Sequence, residues 1–534
     1  MAVKRWNMKI IKVIKASISA KTTQEQCTVV ERNGQLVFTL NSEIMLPEEA
    51  PVRQTNAQLE ELDYRKLYAA YSSRGRKSVT DPRVLFKILV YGYQCGIYTT
   101  RKLEDACRYR IDFKWLLWDE AVPDHSTISR FRTGRCAEAV EDLFYQYVCY
   151  LEEQGETDHE TVFIDGTKLE SRAGRYTFVW RKSVEKQLSK VKAKVFSAAS
   201  ITSLEALEQR LAATKAEISF VHGPGHRKSD AQKEWETLDE LCRRWRDYEE
   251  KLAVMGTDRN SYSKTDPDAT FMRMKEDHMR NGQLKPGYNV QIGVNSEYIT
   301  GIEVFSNRTD YGTMVPFMKT MQQKHGKKYK SATADAGYER FSNYLYLEAN
   351  GQLSFIKPAN YEQQKSRSFK KQIGRMENMS YDVEDDSYTC AQGRRLSLRR
   401  ECTELQNGRY VTTAWYRCES CMDCPVRDKC CQAKNADQPK ELRVNKTFQE
   451  LRKASLENIT TEYGIYLRQC RSIQVEGAFG LLKNDFGFRR LLTRGRKNVR
   501  TELFFLALAF DLKKLWMKRD RGRLQTHLSK ISAA

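Results

Sequence analysis

No stretch of this chain is long and apolar enough to span a bilayer. The longest apolar run near the C-terminus, Leu503 to Phe510, is bounded by Glu502 and Asp511. It falls far short of the roughly 20 residues a membrane helix needs. The opening residues, Met1-Ala-Val-Lys-Arg-Trp6, are basic, but Lys9, Lys12 and Lys15 interrupt the apolar residues that follow. A secretory signal core is therefore not expected. No internal repeat is apparent. The cysteines are scattered rather than set in a disulfide framework, which fits a reducing compartment where thiols are buried or bind metal. Acidic charge is also in deficit: Asp and Glu number 69 against 90 Lys and Arg, a formal charge of +21. So basic a balance favours a polyanionic partner through counterion release, nucleic acid first among them, over a merely solubilising surface. Apolar content of 40% is near the globular norm and excludes wholesale disorder. The expectation is a soluble, intracellular protein with no membrane partner.

Three acidic residues stand in distinctive surroundings. Asp165 ends the run Thr161-Val-Phe-Ile-Asp165-Gly-Thr, and Asp335 ends Ser331-Ala-Thr-Ala-Asp335-Ala-Gly-Tyr338. Both runs read as short buried strands that stop at a carboxylate followed closely by glycine. Glu476 lies in Arg471-Ser-Ile-Gln-Val-Glu476-Gly-Ala-Phe-Gly480-Leu-Leu-Lys483, which has helical periodicity. Two strand-end aspartates facing a helix-borne glutamate can hold two divalent cations about 3.5–4 Å apart. That arrangement cuts and rejoins phosphodiesters without a protein nucleophile. Hard oxygen ligands favour Mg²⁺ or Mn²⁺ over zinc. Asp165 suits a bridging role, with Asp335 and Glu476 each completing one metal site. Taken singly, each acid could be an ordinary cap or surface charge; the trio in context points to chemistry.

At 534 residues the chain exceeds one ordinary core. Residues 56–155 read as helical: Pro82 opens an apolar helix, Gly96 closes it, Arg101–Arg110 forms another, and Asp124 or Ser126 caps a third. After the Asp165 strand, residues 182–254 read as a charged helical hairpin broken near His222-Gly-Pro-Gly-His226. Strands follow at Gly287–Gly293 and Tyr298–Val304, then a helix from Tyr311, the Asp335 strand, a helix from Glu339 and a strand at Leu353–Ile356. The predicted class is α/β, with a ribonuclease H-like catalytic core of mixed sheet and flanking helices (159–181, 285–357 and 456–520). Around it are placed an all-helical N-terminal domain for DNA binding or dimerisation (1–158), a charged helical insertion (182–284) and a cysteine-rich insertion (358–455). In such a core the first and fourth strands lie side by side, which predicts that Asp165 and Asp335 meet.

The motifs, taken in order, resemble the DDE transposases of bacterial insertion sequences, in the branch typified by insertion sequence eleven-eighty-two. The N-terminal part of the resemblance runs from Asp81-Pro-Arg-Val-Leu through Pro123-Asp-His-Ser-Thr-Ile-Ser-Arg-Phe-Arg132. The catalytic part includes Asp165-Gly-Thr-Lys168, Lys285-Pro-Gly-Tyr-Asn289, Asp335-Ala-Gly-Tyr338 and Val475-Glu-Gly-Ala-Phe-Gly480. The resemblance implies that Asp165, Asp335 and Glu476 ligate Mg²⁺ and that terminal inverted repeats are the substrate. Related enzymes place a Tyr seven and an Arg four residues before the glutamate, and a Lys seven after. Lys483 fits, but Gln469 and Ser472 occupy the other two places. On an α-helix Lys483 falls within about 20° of Glu476, Arg468 about 80° away and Arg471 about 140° away. One of the two arginines is expected to grip the DNA backbone with Lys483, and Arg468 is the better placed unless the helix begins after Arg471.

Other residues carry weaker signals. Cys418-x2-Cys421-x2-Cys424-x5-Cys430 offers four thiolates at spacings used by tetrahedral zinc, with Cys431 adjacent and Cys390 able to replace one of the cluster. Reduced structural thiols or a redox role are the alternatives. Tyr288, Asn289 and Gln291 could contact substrate, or the amides could satisfy edge-strand backbone. Asp310, in Asn307-Arg-Thr-Asp310, reads as a helix cap, and Asn343 as structural. Trp180 could stack a flipped base or pack in the interior, and Arg175 and Tyr176 beside it could line a DNA channel. As a helix-turn-helix, the Ser126 helix would enter a major groove with Arg130 and Arg132 forward; as a scaffold, it would support a dimer. Arg489, Arg490, Arg494 and Lys497 are expected at phosphates, with a solvated basic face as the plain alternative.

The leading expectation is a bacterial, cytoplasmic and nucleoid-associated transposase acting on double-stranded terminal repeats and target DNA, as a homodimer in the active complex. The alternatives are a metal-dependent nuclease of the same fold and a non-catalytic, domesticated DNA-binding relative.

Overall fold

The computed structural model describes residues 20–24, 27–30, 46–71, 78–118, 120–223, 227–274, 282–406, 408–431, 433, 435 and 438–527. The basic opening residues 1–15 and part of the predicted hairpin break, 224–226, lie outside them. The chain forms two units, Met1–Glu48 and Glu49–Ala534. In the first, strand β1 (Ala20–Gln24) pairs antiparallel with β2 (Cys27–Val30).

The second unit is built on a six-stranded mixed sheet. Its first strand is β3 (Thr161–Glu170); the short β4 (Phe178–Trp180) and β5 (Ser261–Ser263) pair with each other apart from it. Then come β6 (Thr270–Arg273), β7 (Leu284–Asn295), β8 (Tyr298–Phe305), β9 (Ser331–Ala334) and β10 (Leu353–Ile356). β3, β9 and β10 run parallel, while β7 is antiparallel to β3, β6 and β8. From one edge the order is β10-β9-β3-β7, with β6 and β8 both on the far side of β7. β6 lies inside the stretch predicted as an insertion, so the last part of that stretch belongs to the sheet.

Those helices number three among the described residues of the insertion, not two: Arg181–Ala199, Leu204–Lys215 and Asp230–Met255. The extra break falls at Ser200, in the left-handed region at φ 56°. Leu188, Val195, Leu207, Leu238 and Trp245 form their core, which explains the spacing of apolar residues through a charged sequence.

The cysteine-rich stretch folds as a five-stranded antiparallel sheet: β11 (Ser380–Asp382), β12 (Ser387–Thr389), β13 (Arg395–Gln406), β14 (Arg409–Cys418) and β15 (Glu441–Asn445). The helix Lys446–Thr460 follows without a break and carries Ser455 to β10, where its hydroxyl donates to the Ile356 carbonyl at 3.0 Å. The predicted boundary at 455/456 thus falls inside one helix.

The N-terminal helices do not stand apart. Asp81 caps the helix Pro82–Gln94 by accepting from the Arg83 amide at 2.7 Å, and Gly96 ends it at φ 73°. That helix and Val140–Glu153 bury their apolar faces on the C-terminal helix Arg496–Asp520, with Phe86 against Phe505 (ring centroids 5.6 Å) and Phe144 against Phe504 (5.3 Å). The Leu503–Phe510 run is therefore the centre of a shared helical core. Asp511 ties this helix to the sheet by accepting from the Ile299 amide at 2.8 Å. Among the described residues, no helix is long and apolar enough to cross a membrane.

Candidate active site

Parallel pairing of β3 with β9 sets Ile164 opposite Ala334. Asp165 and Asp335 are the next residue on each chain, so the register alone brings the two carboxylates to one sheet end. Thr161 and Ser331 share a 2.7 Å hydroxyl bond at the other end of the pairing and hold that register. Beyond the apolar buried run, β3 becomes half-buried from Asp165 onward. Asp335 opens a tight turn, its Oδ1 accepting from the Gly337 amide at 2.8 Å.

Glu476 comes from a continuous helical stretch that begins at Glu462. This stretch is not α-helical throughout: Ser472–Glu476 and Leu481–Asp485 are π-helical. A π-turn bonds i to i+5 and inserts an extra residue in the ladder. Arg471, five residues before Glu476, is thereby carried to the same side, its guanidinium 3.8 Å from Glu476 Oε1. The same guanidinium donates to Asp165 Oδ2 at 3.0 Å. The α-helical wheel set Arg471 about 140° from Glu476; the π-turn brings it alongside instead, while Arg468 lies over the Tyr361 ring at 5.7 Å. Glu476 is 62% exposed, whereas Arg471 and Asp165 are only 16% and 18% exposed. Burial pushes the Asp165 carboxyl above its usual range; Arg471 opposes that shift and the neighbouring Asp335 charge adds to it.

A polar network closes the floor of the site. Asn289 and Gln291, on β7 opposite Lys168 and Gly166, are fully buried. Both donate to Asp310 Oδ1, at 2.8 and 2.7 Å. Gln291 also donates to Asn289 Oδ1 at 2.9 Å and accepts from the Tyr338 hydroxyl. Gly166 has no side chain where this network crosses β3; a Cβ there would run into Gln291 Nε2 and Asp310 Oδ1. Burial raises the Tyr338 phenol well above its usual range, and the carboxylates of Asp310, Asp165 and Asp335 add to it. Asp310 was predicted as a helix cap. Only its backbone carbonyl caps, accepting from the Thr313 amide and hydroxyl at 3.1 and 2.9 Å. The side chain turns into the site, a direction that sequence spacing does not encode. Asn343 donates to the Tyr338 carbonyl at 2.7 Å and supports this turn.

The remaining candidates fall in several places. Tyr288 is wholly buried, its hydroxyl on Asp266 at 2.8 Å, so it is packed rather than presented. Trp180 is half-buried beside Phe178 and Phe271, while Tyr176 nearby is 85% exposed. Lys483 sits in the second π-segment, its ammonium 5.9 Å from the Phe479 ring centre. Arg489, Arg490 and Arg494 are exposed; Arg490 and Arg494 also donate to carbonyls of residues 171–173, which fastens this loop to the end of β3. On the helix His125–Thr133, capped by Asp124, Arg130 is exposed. Arg132 is not forward as predicted: it is buried and donates to the Tyr98 carbonyl at 2.9 Å. In the cysteine-rich sheet, Cys390, Cys418, Cys421, Cys424, Cys430 and Cys431 line one small cavity. The turn between β12 and β13 delivers Cys390 from outside the sequence cluster. Among the described residues, no three His, Cys, Asp or Glu side chains are gathered closely enough to hold a metal as they stand.

Residues 40–134 match the family described as a transposase domain (DUF772), and residues 389–516 match the transposase DDE domain family. The second match contains Glu476 and the cysteine cluster but neither aspartate. No curated protein and no solved structure matches the chain. Over these two stretches the chain is similar to transposase domains.

Proposed function

We propose that this protein is a DNA transposase that binds the terminal inverted repeats of its own insertion sequence and catalyses metal-dependent strand cleavage and strand transfer. The observation that carries the reading is the β3–β9 register, which sets Asp165 beside Asp335 with Arg471 and Glu476 across from them. The order β8-β7-β3-β9-β10, with β7 alone antiparallel to the rest, supports a ribonuclease H-like core.

The donor set fits a hard divalent cation: carboxylate oxygens only, partly buried, with like charges compensated by a single arginine. Asp165, Asp335 and Glu476 are the residues assigned to hold Mg²⁺ or Mn²⁺, two ions per site. When bound, the metal supplies activation of the attacking oxygen and charge neutralisation at the departing one. The protein's own part is orientation. The Gly166 amide fixes one oxygen of Asp165 at 2.8 Å while Arg471 fixes the other. The Gly337 amide fixes Asp335. Exposure of Glu476 leaves it reachable by a phosphodiester at the mouth of the site.

Lys483, Arg489, Arg490, Arg494 and Arg130 are assigned to DNA phosphates, whose neutralisation drives salt-dependent binding. Arg471 is assigned to the acids rather than to the backbone of DNA. Two transposon ends require a dimer in the active complex, acting at the nucleoid of a bacterial cytoplasm. A structural zinc is assigned to the cysteine-lined cavity, its ligands drawn from Cys418, Cys421, Cys424, Cys430 and Cys390.

The test is strand joining. Purified protein with Mg²⁺ and a pre-cut transposon end should join that end to plasmid DNA. Cleavage without joining would favour a hydrolytic nuclease, and joining by Asp335→Asn would remove the acids from the mechanism.

A further inference from the structure

Asp310 has a side chain that the proposed chemistry has not yet used, and everything around it acts to aim that side chain. Its carbonyl, not its carboxylate, serves the following helix. Oδ1 takes two amide donors, Asn289 Nδ2 and Gln291 Nε2. Neither amide can turn away without loss, because Asn289 Oδ1 accepts from Gln291 and Gln291 Oε1 accepts from Tyr338. Two fully buried amides thus spend their donors on one oxygen of one carboxylate. Oδ2 takes part in neither bond and lies 3.8 Å from the Cβ position of Gly337, a position itself 3.0 Å from Asp335 Oδ1. On the other side, the absent side chain of Gly166, next to Asp165, makes room for the network.

We propose that Asp310 is a fourth carboxylate of the active site, presenting Oδ2 to the same divalent-cation pocket as Asp165 and Asp335. Asn289 and Gln291 are its positioning residues. Such support is characteristic of ligating carboxylates, whose outer partners orient them and tune affinity. The inference rests on the transposase reading of the acid site and extends it.

Asp310→Asn is the discriminating variant, since its Oδ1 can still accept both amides while the charge at Oδ2 is lost. Mn²⁺ binding to full-length protein without DNA, followed by the electron paramagnetic resonance of free Mn²⁺, reads the effect apart from activity. Asp310→Asn should weaken Mn²⁺ binding about ten- to a hundredfold while the melting temperature in EDTA stays that of wild type. Wild-type Mn²⁺ affinity in Asp310→Asn, alongside lost affinity in Asp165→Asn, would overturn the role of Asp310 and leave the acid site standing. Unaltered binding in both variants would overturn the acid site itself, and this inference with it.

Discussion

Arg471 donates to Asp165 Oδ2 at 3.0 Å and lies 3.8 Å from Glu476 Oε1, so one guanidinium spans two acids far apart in the sequence. The π-turn makes this possible, because only an i to i+5 ladder returns Arg471 to the side of Glu476. Asp165 is largely buried beside Asp335, and Arg471 is the cation that offsets the two charges.

Replacing Arg471 by Met should therefore destabilise the metal-free protein by about 1–3 kcal/mol, the cost of a buried partner left unsatisfied. Millimolar Mg²⁺ should recover part of that loss, since a divalent cation can take over the neutralisation. Thermal melts with and without Mg²⁺ measure both quantities. An equal deficit in the two conditions would mean that the arginine and the cation do not share these acids.

Glu476→Gln separates chemistry from folding. The side chain is 62% exposed, so stability should change by no more than about 0.5 kcal/mol. Strand transfer should fall about a thousandfold or more if the glutamate belongs to the reacting unit. Single-turnover joining assays beside melting curves give the comparison, and full activity in Glu476→Gln would remove it from the site.

Gly166→Ala tests the closeness of β3 to the amide network. A Cβ at this position meets Gln291 Nε2 and Asp310 Oδ1, and neither can retreat without breaking its bonds. Overpacking of this kind costs about 1–3 kcal/mol. Circular-dichroism melts should show that loss together with reduced Mn²⁺ affinity. A variant as stable as wild type would show that the network is loose.

Metal content tests the cysteine-lined cavity. Protein purified without added metal should carry about one zinc per chain. Cys421→Ser should lower that content, as Cys421 lies within the cluster and accepts from the Lys440 amide at 3.3 Å. Inductively coupled plasma analysis giving well under one ion per chain in the wild type would leave the thiols as packing groups.

His325 gives the fold a dependence on pH. It packs against Tyr145 and His159, its Nε2 bonds the Thr300 carbonyl at 2.7 Å, and burial holds its imidazole down at about 4. An unfolded histidine titrates near 6.5, so between about 6.5 and 4 the unfolded chain binds a proton that the fold refuses. Stability should fall as pH drops through that window, by about 3 kcal/mol from this residue, and the loss should be complete below it. Denaturant melts across the window should show a shallower slope for His325→Gln; an identical slope would clear His325 of the effect.

Much of this was written locally in the chain. Apolar runs before Asp165 and Asp335 mark β3 and β9; β9 ends before its aspartate as expected, whereas β3 runs on past Asp165 to Glu170 because β7 continues to pair with it. Asp81, Pro82 and Gly96 mark one helix for equally local reasons of capping and backbone freedom. Arg471 was misjudged because the wheel assumed an α-helix, and nothing within the helix announces a π-turn. Arg132 was offered to DNA from its place on the Ser126 helix and Tyr288 from its place on the strand beside Asn289; the packing of neighbouring elements turned both inward.

The sequence by itself determined the apolar runs of β3 and β9, the capped helix Pro82–Gln94 and the basic charge balance, since these follow from periodicity, capping and charge over short spans. The tertiary structure decided that Asp165 and Asp335 share a sheet end, that Arg471 joins Asp165 to Glu476, and that Asn289 and Gln291 hold the Asp310 side chain. Those outcomes depend on strand register and on a helical irregularity set by packing between segments far apart in the chain, which no short window of sequence contains.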